Sequence, residues 1–352
     1  MIKDFQLVSR TIFRGNTGET KPYRCHRGYY RLEISPAEQG AAQLSTCFSN
    51  VFIPGNRVVV KKGVREAWNA KQFRFQRTMI SRGSWDFCRG ANCCRDPFFP
   101  FTAHDPVKHA LKNKVVQLDY APPMLVVVPS FTCNNNCSFC YQSGMRRRRQ
   151  CAQLSEELMK EIKEDLVPAA RDIIVSGGEP LFAPVTREFI EWVIAHYPEK
   201  RLHILTNGIL LDTFGRISSG IGVTVSLYGM SRQTYRAVTG ADNFERVMRN
   251  ITMLLGPKDK ITELIFIVCR ETAAETGAFC RFVEKHENIR AIVRNNCFEG
   301  GKYWKLMRAA ELAFSGIASR IYFDYQDEAV FQRVMRKACN PRSWFCGARA
   351  DC

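Results

Sequence analysis

The chain has 352 residues, which is enough for two domains that each bury a sizeable core. No run approaches the roughly 20 consecutive apolar residues of a transmembrane helix, and the N-terminus lacks the apolar stretch of a secretory signal, so we predict a cytoplasmic protein. The net charge of +17 favours polyanionic partners such as acidic peptides or nucleic acid.

Cysteine is frequent, with 15 residues in the chain. Disulfides rarely form in a reducing compartment such as the cytoplasm. Most of these cysteines are therefore best explained as ligands of metal ions or of iron–sulfur clusters.

A cysteine-rich segment, residues 25–97, follows an N-terminal segment of residues 1–24 that has little pattern. Alternating apolar residues predict two strands, at 29–34 and 42–48, which would form a hairpin and bring its two ends together. The stretch VREAWNAKQFRFQRTMI has the periodicity of a helix. The segment contains Cys25, Cys47, Cys88, Cys93 and Cys94.

Residues 98–119 contain several prolines and are predicted to be a linker. From 120 to 300 strand and helix patterns alternate, which predicts an α/β fold with a parallel sheet. The predicted strands are residues 124–129, 172–175, 201–205, 222–227, 262–268 and 289–293. The predicted helices are residues 154–166, with Ser155 as its N-cap, 186–196, 243–255 and 272–286.

Three cysteines, Cys133, Cys137 and Cys140, lie on a polar loop directly after the first of these strands. Their spacing is C-x3-C-x2-C, and three thiolates on one loop can hold three irons of a cubic 4Fe–4S cluster. The fourth iron is then left for a substrate or cofactor. A structural zinc site is the alternative, but it needs four ligands and this loop offers three, with no nearby histidine.

A second motif, Ser-Gly-Gly-Glu-Pro, follows the second strand at residues 176–180. Gly177 and Gly178 have no side chains, so their backbone can approach a ligand closely. Carbonyl oxygens there, together with the Glu179 carboxylate, suit an ammonium group. In a parallel sheet both motifs lie at the carboxyl ends of the strands, where ligands bind.

The cysteine loop followed one strand later by GGEP resembles the radical S-adenosylmethionine (SAM) superfamily. The resemblance implies a partial (βα)6 barrel over residues 120–300, a 4Fe–4S cluster, and SAM whose amine and carboxylate bind the open iron. It also implies reductive cleavage of SAM to a 5′-deoxyadenosyl radical that abstracts a hydrogen atom. The SAM-binding residues implied are Tyr141, Gly177, Gly178, Glu179, Asn207 and Ser226, with Arg236 and Arg294 as weaker candidates.

The segment 25–97 resembles the SPASM domain, an auxiliary-cluster module of radical SAM enzymes. The similarity lies in Cys25, Gly40 and Cys47, the sequence Glu-Ala-Trp-Asn at 66–69, and a closing cysteine pair. It implies a second 4Fe–4S cluster in a smaller α+β domain, held by Cys25, Cys47, Cys88 and either Cys93 or Cys94. The module here precedes the core instead of following it, and a zinc ribbon-like module is the alternative.

The C-terminal extension, residues 301–352, is predicted to be mostly helical with a cysteine-rich end. That end resembles the opening of another auxiliary-cluster segment, and a continuation beyond it is left open. Its candidate cluster ligands are Cys339, Cys346 and Cys352.

Three functions fit these observations. The first is a radical SAM enzyme, an oxidoreductase that modifies a ribosomally made peptide or protein, with an acidic precursor peptide as partner and flavodoxin or ferredoxin as electron donor. The second is the same chemistry on a sugar, nucleotide or cofactor precursor. The third, from another class, is a zinc-stabilised nucleic-acid-binding protein, which the charge of +17 permits. The first interpretation involves neither a membrane nor a nucleic acid.

Overall fold

The computed structural model describes residues 26–46, 57–84, 105–140, 142, 153–215, 221–255, 262–296 and 300–324. Within these residues one mixed sheet has ten strands in the order β10-β9-β8-β7-β6-β5-β4-β1-β2-β3. The strands are β1 Arg31–Pro36, β2 Ala42–Ser45, β3 Val58–Val60, β4 Met124–Val127, β5 Asp172–Val175, β6 Arg201–Thr206, β7 Ile221–Leu227, β8 Thr262–Val268, β9 Ile289–Asn295 and β10 Ile321–Asp324.

The described helices connect these strands or flank them. They are α1 Val64–Ala67, α2 Lys71–Ser81, α3 Asp105–Lys112, α4 Glu156–Glu161, α5 Pro184–His196, α6 Arg232–Thr239, α7 Phe244–Leu255, α8 Thr276–Lys285 and α9 Trp304–Ala313. Helix α4 continues into one π-helical turn, Ile162–Leu166. In the part of the chain that the structure describes, no helix is both long enough and apolar enough to cross a membrane.

The six strands β4 to β9 are parallel and neighbour one another in chain order. Helices lie between them, except that the described residues between β6 and β7 form one 3-10 turn, Leu211–Thr213. This confirms the predicted α/β fold with a parallel sheet, and the strand order fits a partial barrel. The predicted cap is also present, because the Ser155 hydroxyl accepts a hydrogen bond from the Leu158 amide. Four of these strands and helices were not predicted: strand β3, helix α3, helix α6 between β7 and α7, and strand β10 after α9.

The described part of the cysteine-rich segment belongs to the same sheet as the core. Strand β1 pairs in parallel with β4, with Leu32 opposite Leu125, and β2 and β3 extend the sheet in antiparallel pairing. The predicted hairpin is therefore confirmed, and it completes one edge of the barrel sheet. The prediction that residues 98–119 are only a linker is wrong, because Asp105–Lys112 forms a helix with Pro106 in its first turn, where proline is tolerated.

The predicted helix over residues 64–80 is broken into α1 and α2. The break is at Asn69, whose side-chain amide both donates a hydrogen bond to the backbone of Leu118 and accepts one from it. Asn69 Nδ2 donates to the Leu118 carbonyl at 2.6 Å, and the Leu118 amide donates to Asn69 Oδ1 at 2.8 Å. These two bonds fix the turn between α1 and α2 against the segment that contains Leu118.

Arg77 of α2 ties the segments around it together. Its fully buried guanidinium donates to the carbonyl oxygens of Gly28 at 2.8 Å, Val116 at 2.8 Å and Trp68 at 2.6 Å. It also donates to Asn69 Oδ1 at 3.0 Å and lies over the Trp68 ring. Burial lowers the pKa of Arg77 to about 10, so it stays charged at neutral pH.

The two faces of the sheet differ in polarity, because side chains alternate along each strand. One face is apolar and packs on the helices; Phe266 of β8, for example, stacks on Phe279 of α8 at 4.6 Å between ring centroids. The opposite, inner face carries polar side chains that bond across neighbouring strands. His203 of β6 contacts Thr224 of β7 at 2.6 Å, and Thr224 donates to Glu263 of β8 at 2.9 Å.

Burial lowers the pKa of His203 to about 4, so this imidazole is neutral at pH 7. Because the Thr224 hydroxyl donates its only proton to Glu263, His203 Nε2 must be the donor to Thr224. On the same face Arg201 donates to the buried Asp172 at 2.6 Å. The inner face of the sheet thus includes polar groups that are bonded to one another across neighbouring strands.

Candidate active site

The cysteine loop leaves the carboxyl end of β4 and lies across the edge of the sheet. Cys133, Cys137 and Cys140 are all partly exposed there. The loop is ordered by its own backbone, since the Asn135 amide points at Cys133 Sγ at 3.4 Å and the Cys140 amide donates to the Cys137 carbonyl at 3.1 Å. Thiols in this setting are accessible to a metal cluster from solvent.

The GGEP turn after β5 packs directly against the start of the cysteine loop. The Gly178 amide donates to the Ser130 carbonyl at 3.1 Å, and the Glu179 amide donates to the Thr132 carbonyl at 2.8 Å. Gly177 has a φ of +135°, and a Cβ at Gly178 would collide with the carbonyl oxygens of Phe131 and Thr132. The two glycines are therefore needed for backbone-to-backbone packing of the two motif loops.

Gly178→Ala is expected to lower the free energy of unfolding by about 1–3 kcal/mol, because the added methyl group forces the two loops apart. Urea unfolding followed by circular dichroism measures this change. Gly215→Ala is the matched control, since a Cβ there meets no atom within 4 Å. Equal urea midpoints for the two variants would refute the packing role of Gly178.

The Glu179 carboxylate is buried, and it connects the loops after β5 and β6. It accepts hydrogen bonds from the Thr206 hydroxyl at 2.6 Å, the Asn207 amide at 2.7 Å and the Leu181 amide at 3.2 Å. Burial raises the pKa of Glu179 to about 7, and these three donors oppose that rise. A cation bound beside this carboxylate would favour its ionised form further.

Asn207, directly after β6, reaches across to the cysteine loop. Its Nδ2 donates to Asn134 Oδ1 at 2.7 Å, while its Oδ1 accepts from the Ile209 amide at 3.1 Å. The side chain is thus held from both sides. Loops from β4, β5 and β6 are joined into one surface through Asn134, Asn207 and Glu179.

Ser226 lies near the end of β7 on the polar inner face, and it is partly exposed. Ser226 lies close enough to the Tyr228 side chain to lower its pKa, which is raised first by burial and then by the neighbouring thiol of Cys137. Tyr228 also packs edge-on against Phe139 of the cysteine loop, at 5.5 Å between ring centroids. Strand β7 therefore contributes a hydroxyl and an aromatic ring beside the thiols.

The C-terminal end of helix α6 hydrogen-bonds to the backbone of the cysteine loop. Its last turn presents the carbonyl oxygens of Val238 and Thr239, which accept from the amides of Ser138 and Asn136, both at 2.9 Å. The carbonyl groups at a helix C-terminus lack partners within the helix. The cysteine loop supplies those partners, so helix end and loop fix each other.

Among the described residues, no three His, Cys, Asp or Glu side chains converge on one point that would hold a single metal ion. A cubic iron–sulfur cluster spreads its cysteine ligands over different irons and needs no such convergence. Buried polar groups of Asn135 and Tyr235, which lack hydrogen-bond partners in the described structure, lie beside the loop. The donor set and its surroundings therefore fit a 4Fe–4S cluster.

Comparison with known families agrees with this geometry. The sequence profile of the radical SAM superfamily matches residues 127–283, which include the cysteine loop, the GGEP turn and strands β5 to β8. Residues 127–283 belong to the radical SAM superfamily. This superfamily implies a 4Fe–4S cluster and SAM as the bound groups.

Relatives of the radical SAM region include proteins named GTP 3′,8-cyclase. A probable GTP 3′,8-cyclase of Methanococcus maripaludis is 32% identical over 122 residues, which are 34% of this chain and 41% of that protein. The GTP 3′,8-cyclase of Chlorobaculum tepidum is 26% identical over 180 residues, covering 50% of this chain and 54% of that protein. The chain thus spans about half the length of the curated relatives it matches.

Two solved structures are similar at lower identity. Streptococcus suis SuiB bound to the precursor peptide SuiA is 14% identical, with a TM-score of 0.45, covering 86% of this chain and 75% of that chain. The polyhistidine-tagged protein anSMEcpe with bound AdoMet is 17% identical, also with a TM-score of 0.45, covering 57% of this chain and 61% of that chain.

The structure gathers most of the predicted SAM-site residues at one edge of the sheet. The three cysteines, the GGEP turn and Asn207 are linked by hydrogen bonds, and Ser226 lies on the next strand. Arg294 forms an ion pair with Asp324 at 2.6 Å, and Arg236 is exposed on the outer side of α6. The predicted site residues outside the described part of the chain are Tyr141, Cys25, Cys47, Cys88, Cys93, Cys94, Cys339, Cys346 and Cys352.

Several residues that build the site were not predicted from the sequence. Thr206 and Asn134 adjoin predicted residues, so their position in the motif loops is a signal for them. Tyr228 could have been found from its position one residue after a predicted strand. Tyr235 carried no such signal, because its helix was not predicted.

Proposed function

We propose that the chain cleaves SAM reductively at a 4Fe–4S cluster bound by Cys133, Cys137 and Cys140, and that it uses the resulting radical to abstract a hydrogen atom from a substrate. The observation that carries the proposal is the hydrogen-bonded contact between the cysteine loop and the GGEP turn at the carboxyl edge of parallel strands. Three cysteines leave one iron for the amine and carboxylate of SAM.

The residues around the loop would orient SAM and exclude water from it. Gly177 and Gly178 would offer backbone oxygens to the SAM ammonium group. Glu179 would fix the position of that turn through its hydrogen bonds to Thr206 and Asn207. Ser226 and Asn207 are the proposed contacts for the ribose or the carboxylate. In support, Glu179 and Asn207 bond the loops after three neighbouring strands into one rigid surface.

We further propose a second cluster, or a zinc ion as the alternative, held by Cys25, Cys47, Cys88 and one of Cys93 and Cys94. All five lie outside the described residues, but two described residues close to them in sequence contact adjacent positions of α2. Gly28 accepts a hydrogen bond from Arg77, and Thr46 donates to Gln76 at 2.8 Å. This contact pattern agrees with a hairpin whose two ends come together near α2. Cys339, Cys346 and Cys352 are the candidates for a further cluster.

For the substrate, we propose an acidic ribosomally made peptide or protein, with flavodoxin or ferredoxin in the cytoplasm as electron donor. The net charge of +17 supports an acidic partner. A small molecule such as a nucleotide is the second candidate, and the printed names of the GTP 3′,8-cyclase relatives favour it. A zinc-stabilised nucleic-acid-binding protein is not proposed further, because residues 127–283 match an enzyme superfamily.

Anaerobic purification followed by reconstitution tests the proposal. We expect about four irons per chain if only the loop cluster forms and about eight if the auxiliary cluster forms too. Reduced protein should convert SAM to methionine and 5′-deoxyadenosine. A colourless protein that binds zinc and leaves SAM intact would refute the proposal.

The two substrate classes are separated by adding each to the reduced enzyme with SAM. One reaction receives a short acidic peptide encoded beside the gene, and the other receives GTP. A mass change in the peptide, with GTP unaltered, supports the first class. Conversion of GTP alone assigns the second class and removes the peptide from the proposal.

A further inference from the structure

Two buried polar side chains beside the cysteine loop lack a hydrogen-bond partner within the described structure. They are the Tyr235 hydroxyl and the Asn135 side-chain amide. Tyr235 is 0% exposed and Asn135 is 6% exposed, so bulk water does not supply the missing hydrogen bonds. Burying a hydroxyl or an amide without a partner costs free energy, and such groups usually mark a missing ligand.

Both side chains are placed against the loop by contacts of the backbone. Asn135 lies between Cys133 and Cys137, and its backbone amide donates a hydrogen bond to Cys133 Sγ. Tyr235 lies one turn before Thr239 on α6, and residues four apart share one face of a helix. The C-terminal end of this helix meets the loop, because the Thr239 carbonyl accepts from the Asn136 amide at 2.9 Å.

The electrostatic surroundings of Tyr235 agree with this placement. Burial raises the pKa of Tyr235 to about 12, and the thiols of Cys137 and Cys133 contribute to the rise. The hydroxyl is therefore protonated at neutral pH and available as a donor. The Asn135 side chain lies close enough to lower that pKa, but the two side chains form no hydrogen bond with each other in the described structure.

We propose that the Tyr235 hydroxyl and the Asn135 side-chain amide donate hydrogen bonds to sulfur atoms of the cluster held by Cys133, Cys137 and Cys140. These hydrogen bonds raise the reduction potential of the cluster. The inference rests on the proposed function, since it requires the cluster. Reduction adds negative charge to the cluster, and donors directed at its sulfurs stabilise that charge. Tyr235 and Asn135 are positioning residues in this proposal, because neither touches the reacting carbon.

Tyr235→Phe tests the proposal, because it removes one oxygen and keeps the ring that packs beside Phe244. The cluster's potential is measured by anaerobic redox titration, followed by electron paramagnetic resonance. We expect the equilibrium constant for one-electron reduction to fall about tenfold, which is a shift of about 59 mV to lower potential. Tyr29→Phe is the control, since its buried hydroxyl bonds the Arg77 carbonyl away from the loop.

Asn135→Ala gives a second, independent variant, and we expect a shift in the same direction. Iron content and the resonance signal of the unaltered protein report the cluster itself, so their absence refutes the proposed function instead of this inference. A loaded cluster whose potential is unchanged in both variants overturns the inference. Weaker SAM binding without a change in the cluster's potential also overturns the inference, because the two donors would then hydrogen-bond to SAM and not to the cluster.

Discussion

Replacing Cys133, Cys137 and Cys140 together by alanine is expected to abolish SAM cleavage. The rate should fall by about 1,000-fold or more, which corresponds to about 4 kcal/mol of transition-state stabilisation. The physical reason is that these thiols are the proposed ligands of the cluster that reduces SAM. The measurement is 5′-deoxyadenosine formed per chain by dithionite-reduced protein, together with the iron content after reconstitution.

The chain offers a matched control in Cys280, which is buried in helix α8. Cys280 packs among the core side chains of α8, and burial raises the pKa of its thiol to about 12. Cys280→Ala should retain iron and SAM cleavage with a modest loss of stability. SAM cleavage that survives in the triple variant would contradict the assignment of the loop.

Iron content in the triple variant also bears on the auxiliary site. If the second cluster forms at the N-terminal cysteines, about four irons per chain should remain when the loop is removed. If no iron remains while the unaltered chain binds about four, only the loop cluster exists. This outcome would remove the auxiliary cluster from the proposal and leave the SAM site intact.

Arg77→Leu is expected to give the largest loss of stability among single substitutions of described residues. The change leaves the buried carbonyl oxygens of Gly28, Trp68 and Val116 without their donor, and each such loss costs about 1–3 kcal/mol. We expect the free energy of unfolding to fall by about 3 kcal/mol or more. Urea unfolding followed by tryptophan fluorescence and circular dichroism measures it.

Arg74→Leu on the same helix is the control, because Arg74 is exposed and its side chain donates one long hydrogen bond within the described structure, to Gln117 at 3.3 Å. Its effect should stay within about 0.5 kcal/mol. Arg77→Lys keeps the charge but has no planar fork of donors, so it should lie between the two. If Arg77→Leu and Arg74→Leu unfold alike, Arg77 does not hold the edge of the sheet as described.

The core strands could be predicted from local pattern to within one or two residues. Strands β5 and β8 agree with their predicted bounds, because each contains a run of mostly β-branched and aliphatic residues. Helix α6 was missed, since only Tyr235, Val238 and Thr239 in it are buried and its other positions, apart from Ala237, are polar. The short strand β10 follows a predicted helix and has only two buried residues.

For the site, the motif residues were predictable and their partners were not. The spacing of the cysteines and the GGEP sequence are both local signals. That the Glu179 carboxylate bonds Thr206 and the Asn207 amide, 27 and 28 residues later, depends on the parallel pairing of β5 with β6. The contact of α6 with the cysteine loop spans about a hundred residues and has no signature in either segment.

The amino-acid sequence by itself determined the α/β class of this protein, the positions of its core strands along the chain and the two motifs of its proposed SAM site, because each depends on residues close together in the chain. Only the tertiary structure decided that the cysteine-rich segment shares the barrel sheet through β1, and that Arg77 fixes its edge. It also decided that Tyr235 lies unpartnered beside the thiols. These features depend on burial and on hydrogen bonds between distant segments, which no local pattern specifies.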